Sequence, residues 1–392
     1  MKSNSNDRVL IFLVWYGLGG STIYVGQYVS FLVKNKYKVY VVCRKKDKGS
    51  EYLKGLGAIP IYIHFPFALN FTALDKKNDS AKKRIIDVFK LFGGTILSFF
   101  LILFCRPDIV IIGEFCQIPV LLSNYLFNNK SICLFQTSIS KIKWKRKVLF
   151  SLLKRVTHLV GITDIHTNML PFRNKISTIP NTFVNLNISG IDLKINYIDS
   201  ANRLLVLFIG GVSEIKGTKQ FVEIAIELLK IRRDLSFVIV GNYHKSFKTK
   251  NSIGMTISEY NYNKEVFELT GEFLDDNILF LGEISYVNEL LKHTSLLICN
   301  NTYSHFSRPI IEAWANKVPV VANKDEFSIY MDHGNDSILF ISNNAALSAI
   351  MINNLLNSPE LMIKIANAGL KNYDTMYSSQ SVERKIRALF EL

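Results

Sequence analysis

Three charged residues in two short stretches carry most of the chemistry open to this sequence. Glu312 sits in Ile310-Ile311-Glu312-Ala313-Trp314-Ala315, a mostly apolar setting in which a carboxylate is costly to bury without a partner. Ribose hydroxyls would be good partners; the stretch alone leaves equally open a solvated place on the outer helix face. Arg308 lies four residues earlier, and Lys216 is followed at once by Gly217. A cation held in place stabilises negative charge that develops beside it. No metal-ligand spacing occurs. Cys43, Cys105, Cys116, Cys133 and Cys299 are scattered, odd in number and mostly in apolar runs, as expected of buried reduced thiols in a cytosolic protein.

The elements that must position these groups are α/β in character. Leu296 to Cys299 reads as a strand, Asn300 to Ser307 as a polar loop, and Pro309 opens a helix that stops near Asn316. Ser307 and Arg308 stand where a cap belongs, and Ser307 has the better side chain for it. Val318 to Ala322 is the next strand. Such a βαβ unit has parallel strands and binds ligands beyond their carboxyl ends, where the helix N-terminus suits phosphate. The amides of Arg308 and Ile310, on either side of Pro309, would face a diphosphate. Upstream, Leu204 to Ile209 is a strand; Gly210, Gly211 and the turn to Gly217 follow, then a helix from Thr218 to Ile231 and a strand ending at Gly241-Asn242. The N-terminus opens in the same way. Val9 to Trp15 is too short for a signal core and reads as a strand; Gly17, Gly19 and Gly20 make a turn, Ser21 or Thr22 caps a helix, and Val39 to Cys43 is the second strand. No acidic residue closes that strand, as a dinucleotide site would require.

These residues carry a resemblance. Ser304, seven residues, Glu312 and then Ala313-Trp314-Ala315-Asn316-Lys317-Val318-Pro319-Val320-Val321 resemble the Glu-x7-Glu and Ala-Met-Ala-x-Gly-x-Pro-Val-Val signature of retaining glycosyltransferases with the GT-B fold, the group 1 or family 4 type that includes many bacterial surface-polysaccharide enzymes. The resemblance covers most of the chain and is strongest from Leu204 to Phe340. It implies two Rossmann-like domains facing across a cleft. Glu312 matches the glutamate that holds the nucleotide ribose, and Lys216 the lysine on the donor diphosphate. Ser304 replaces the glutamate near the donor sugar, Gly211 stands in the place of a second phosphate cation, and Lys317 replaces a loop glycine. Arg308 is the candidate for the missing charge. The resemblance further assigns Gly210, Asn242, Glu283, Ile284, Ser307, Pro309 and Ile310 to the donor, with Gly19 and Gly20 closing from the other domain. Glu114, Gln136 and Thr137 end strands of the first domain and are acceptor-side candidates; the family carries histidines near both places, and this chain has none there. The donor would be a nucleotide-diphosphate sugar, without metal or other cofactor, and the acceptor a hydroxyl of a glycan or lipid-linked glycan.

The chain has 392 residues, enough for two cores, with 48% hydrophobic and 20% charged residues. The boundaries read as an N-terminal domain over 1–186 with a last helix, 376–392, packing back on it, a linker over 187–202 and a C-terminal domain over 203–375. The net charge of +15 favours anionic partners. Lys141 to Arg155 is basic and amphipathic and could lie on an anionic membrane surface, which would put the enzyme at the inner face of the cytoplasmic membrane. The most apolar stretch, Ile85 to Phe104, holds Asp87, Lys90 and Gly93-Gly94; its unbroken apolar part of about a dozen residues is short of the ~20 needed to span, so it reads as a packing helix with one side open to lipid. Two rivals stand beside the transferase: an inactive nucleotide-sugar- or glycan-binding protein on the same fold, and a nucleic-acid binder, which lacks any recognisable module and is set aside.

Overall fold

Runs of Val, Ile and Leu without polar alternation suit strands covered on both faces, and here they build two separate parallel sheets. A computed structural model describes residues 7–14, 17–65, 67–69, 71, 81–127, 129–183, 203–243, 257–284, 286–302, 307–341 and 343–391. The chain divides into unit 1, Met1–Thr182 with Ser379–Leu392, and unit 2, Phe183–Ser378. The expected linker, 187–202, lies outside the described residues.

Unit 1 is a sheet of β1 (Arg8–Phe12), β2 (Lys38–Cys43), β3 (Ile59–Tyr62), β4 (Ile109–Ile112), β5 (Lys130–Phe135), β6 (His158–Gly161) and β7 (Ile176–Thr178), ordered β3-β2-β1-β4-β5-β6-β7. All pairings are parallel. Helices α1 (Gly20–Lys34) and α2 (Lys48–Gly55) cover one side, while α3 (Ala81–Cys105), α4 (Ile118–Asn124) and α5 (Lys143–Leu153) belong to the other; α6 (Asp164–Asn168) links β6 to β7. The last helix of the chain rejoins this unit. Its Val382, Ile386, Leu389 and Phe390 are buried in the same core as Tyr24, Tyr28 and Leu32 of α1. Helix α1 also holds the strand-exit segment: Tyr24 Oη donates to Ile179 O at 2.8 Å, and Gln27 Nε2 to Pro180 O at 3.2 Å.

Two expectations need correction here. Neither Ser21 nor Thr22 caps α1; Gly19 is the N-cap, without a side-chain bond, and Thr22 Oγ1 instead donates back to Gly17 O at 2.8 Å. The glycine pair at 93–94 does not interrupt the apolar stretch. Helix α3 runs unbroken for 25 residues, and Gly93 and Gly94 are where it lies close to Phe65 and Pro119. Its segment Ile85–Cys105 is 21 residues long, enough to cross a membrane by length and composition, and little of it is buried: 17% of its 18-residue apolar window.

Unit 2 holds β8 (Leu204–Ile209), β9 (Leu235–Val240), β10 (Ile278–Gly282), β11 (Leu296–Cys299), β12 (Val320–Asn323) and β13 (Ile338–Phe340), ordered β10-β9-β8-β11-β12-β13 and again parallel. Its helices are α7 (Thr218–Ile231), α8 (Ile257–Thr270), α9 (Val287–Lys292), α10 (Arg308–Ala315), α11 (Lys324–Phe327), α12 (Ala345–Leu356) and α13 (Pro359–Asn372); α14 (Ser379–Glu391) is the helix returned to unit 1. Trp314 of α10 is fully buried, and Gly369 of α13 gives its ring room: a Cβ there would meet Trp314 Cδ1 at 2.2 Å.

Candidate functional site

In unit 2 the strand order turns between β8 and β11, so the loops leaving those two strands flank the crevice where open parallel sheets bind ligands. The loop after β8 is strongly constrained. Gly211 has φ +66 and its amide donates to Val240 O at 2.9 Å, while Val212 N donates to Asn242 O at 2.8 Å. A Cβ at Gly211 would lie 2.4 Å from Asn242 O. A side chain is therefore excluded by the backbone beside it, and the site has no place for a second cation at this position. Thr218 closes the turn: Ser213 N donates to its Oγ1 at 3.0 Å and its hydroxyl donates to Gly211 O at 2.7 Å.

The loop after β11 is laced to this turn. Thr302 N donates to Ile215 O at 3.0 Å. Asn300 Nδ2 donates to Gly217 O at 3.2 Å and to Gln220 Oε1 at 3.0 Å. Gly217, at φ +72, could not carry a Cβ without meeting Asn300 O at 2.0 Å. The lacing delivers Lys216 to the end of β11. Its stem lies against Gly210, near the buried Cys299 thiol. Burial holds the Lys216 ammonium below the ordinary lysine pKa and pushes the Cys299 thiol up. Among the described residues Lys216 has no hydrogen-bonding or ion-pair partner for its ammonium. Lys216, Ser307 and the first turn of α10 thus share one locality.

Ser307 is the N-cap of α10 but makes no side-chain cap bond; Pro309 has no N–H and Ile310 N donates to Ser307 O at 3.0 Å, which leaves Arg308 N as the first-turn amide without a partner among the described residues. Glu312 is buried, not solvated, with 4% of its surface exposed. Its partner is Arg308: Nε donates to Glu312 Oε1 at 2.6 Å. One turn of helix places Arg308, the candidate for the missing phosphate charge, on Glu312 through its Nε. One carboxylate oxygen, Oε2, remains without a partner among the described residues. Asn242, Glu283 and Ile284 end β9 and β10; Gly241 N donates to Gly282 O at 2.8 Å and keeps these strand ends together. Ser304 lies outside the described residues. Lys317, in the loop glycine's place, has φ +55, a conformation that glycine adopts without strain.

In unit 1, β1 and β4 flank the corresponding turn in strand order. Gly17 N donates to Asp47 Oδ2 at 2.8 Å, and Asp47 also caps α2. An acidic residue thus follows the second strand after all, four positions on, and it organises the glycine turn. Around Gly19 and Gly20 a Cβ would meet nothing within 4 Å. Glu114, Gln136 and Thr137 stand at the ends of β4 and β5, the first two buried and Thr137 half-buried. Glu114 is fully buried and accepts from the Gln136 amide at 3.1 Å; burial outweighs its hydrogen bonding and raises its pKa well above the ordinary glutamate value. Gln136 is turned inward, Nε2 donating to Gly113 O at 2.8 Å. Sequence reasoning overlooked Asp47, Thr218, Asn300 and Cys299. The small polar residues next to glycine turns were the available signal for the first three. No group of three or more His, Cys, Asp or Glu that could hold a metal ion occurs among the described residues.

Residues 196–372, within unit 2 in their described part, match the family Glycosyl transferases group 1. The chain is a glycosyltransferase. No curated protein matches it. The transferase is similar to Alr3699/HepE of Anabaena solved with UDP-glucose, with TM-score 0.73 and 15% identity over 98% of this chain and 100% of that one. A glycosyltransferase from Rickettsia africae gives TM-score 0.74 and 17% identity over 98% and 99%. TarM of S. aureus, solved as a mutant with UDP, alpha-GlcNAc-glycerol and Fondaparinux, gives 0.68 and 13% over 98% and 100%. Together these place the transferase in the two-domain, Rossmann-like GT-B fold.

Proposed function

We propose that this glycosyltransferase moves a sugar from a nucleotide-diphosphate donor to a hydroxyl of a glycan or lipid-linked glycan, with retention at the anomeric carbon, in the assembly of a bacterial surface polysaccharide or lipopolysaccharide. The observation that supports this best is the lacing of the Lys216 turn to the loop that enters α10, at the switch point of unit 2, through Thr302 N on Ile215 O and Asn300 Nδ2 on Gly217 O. The dipole end and the ammonium would share the diphosphate. Glu312, steadied by Arg308 through Oε1, would offer Oε2 to a ribose hydroxyl. As the anomeric C–O bond to the diphosphate breaks, negative charge grows on the leaving oxygen, and Lys216 lies where it would lower that barrier. Glu283 and Ile284 would flank the base. Gly19 and Gly20 would meet the donor from unit 1, with Glu114, Gln136 and Thr137 beneath the acceptor side. UDP in the HepE and TarM structures makes uridine donors the first to try. The reaction calls on no metal, and the enzyme would work at the inner face of the cytoplasmic membrane, with Lys141 to Arg155 toward anionic lipid.

Thermal-shift screening of nucleotide sugars on the wild type and Glu312→Ala tests the assignment. One donor should stabilise the wild type by about 2.7 kcal/mol at a hundred times its Kd, and the variant should lose that gain. Wild-type donor affinity in Glu312→Ala would discard the ribose role. The alternative, an inactive nucleotide-sugar-binding protein, draws on Gly211 and Ser304 standing where the family has functional side chains; donor binding without any turnover would favour it.

A further inference from the structure

The outer face of α3 is apolar along its described length. Ile85, Phe89, Phe92, Ile96, Phe100 and Phe104 recur at steps of three and four and are between 46% and 77% exposed. They form one stripe about 28 Å long. So much exposed aromatic surface is unusual for a monomer and marks a contact. The inner face is fastened to its own unit: Ser98 Oγ bonds Ser123 Oγ at 2.6 Å, and Ser123 Oγ also donates to Thr95 O at 2.6 Å. Gly94 lies against Pro119 of α4.

What covers the stripe is indicated by charge. Helices α3, α4 and α5 pack on the same side of the unit 1 sheet. From Phe115 to Thr163 the chain has no Asp or Glu, against eight Lys and Arg. Lys143, Arg146, Lys147, Lys154 and Arg155 are exposed on and just after α5, beside Trp144 at 60% and Val148 at 42% exposure. Arg155 lies over the half-exposed Tyr125 ring at 4.7 Å, which joins the end of α4 to this basic surface. A protein partner for the stripe would not call for so one-sided a charge nearby; an anionic lipid surface does.

We propose that α3 lies in the plane of an anionic bilayer, its aromatic stripe sunk to the acyl boundary, with the α5 cations and Trp144 at the headgroups. This takes the membrane contact of Lys141 to Arg155 further: the anchor is α3, and the basic helix orients it. The helix does not span, because its middle is bonded to α4 and Asp108, three residues past its end, is already paired with β1 through Asp108 N to Arg8 O at 2.9 Å. The inference does not depend on the proposed donor or acceptor, and vesicle binding is read separately from sugar transfer.

Flotation of the purified full chain with vesicles of phosphatidylcholine, alone and mixed with phosphatidylglycerol, tests it. The wild type should float with the mixed vesicles and keep part of its binding at high salt. Phe92→Ser and Phe100→Ser together should leave the unfolding temperature unchanged and weaken partitioning by on the order of tenfold per substitution. Lys143→Ala with Lys147→Ala should remove mainly the salt-sensitive part. Alkaline carbonate should release the bound protein. A wild type that stays in the aqueous fraction, a Phe variant that floats as well as the wild type, retention after carbonate, or a dimer dispersed by the Phe substitutions without any vesicle binding would each overturn the proposal.

Discussion

Arg308 and Glu312 show how one helical turn assigns a residue its work. Glu312 is nearly closed to solvent, so removing the guanidinium leaves a buried carboxylate with one bond fewer. Arg308→Met is expected to cost about 2 kcal/mol, less than a fully buried pair because Arg308 is partly exposed; thermal denaturation should fall by about 4–8 °C. Lys216 makes a pH prediction. Burial lowers its pKa in the native state, so as pH rises the native protein loses that proton before the unfolded chain does. Native stability without donor therefore rises with pH across that window, while donor affinity, which needs the ammonium, falls before the ordinary lysine range is reached. Lys216→Arg should keep donor affinity flat there. A loss of affinity that begins only at the ordinary lysine pKa would contradict the buried placement.

Among elements, the turn from Gly210 to Gly217 is the most exacting. Gly217→Ala adds a Cβ at a positive φ against Asn300 O, and should destabilise unit 2 by about 2 kcal/mol or more while loosening donor binding. The opposite change is available after α10. Lys317 holds φ +55, so Lys317→Gly relieves a left-handed residue and should gain up to about 1 kcal/mol by chemical denaturation, with no effect on transfer. The β8–turn–α7 and β11–loop–α10 units were legible in the sequence because a buried parallel strand is a run of apolar residues and a glycine or proline marks where it ends. Helices α2 and α4 escaped notice: they are short, and α4 is apolar nearly throughout, so no 3.6-residue pattern separates its faces.

At the scale of the molecule, the chain leaves unit 1 near Thr182 and comes back at Ser379. Truncation after Ser378 removes Val382, Ile386, Leu389 and Phe390 from the unit 1 core. Calorimetry should then show the unit 1 transition lowered or lost, while donor binding, which the proposal assigns chiefly to unit 2, persists as a thermal shift of the remaining transition. Loss of both would mean that α14 supports more than its own core. The exposed face of α3 belongs to this scale too: the side of the helix that the sequence leaves open to lipid carries the stripe from Ile85 to Phe104, 46% to 77% exposed.

The sequence by itself determined the two parallel α/β cores, most strand and helix positions, and Lys216 and Glu312 as the groups to watch, because burial on both faces of a sheet and helix-opening prolines leave local marks. Only the tertiary structure decided which charges meet. Lys216 beside Cys299 and Gly211 closed by Asn242 depend on what lies across a loop or a layer, and that distance along the chain carries no local signal.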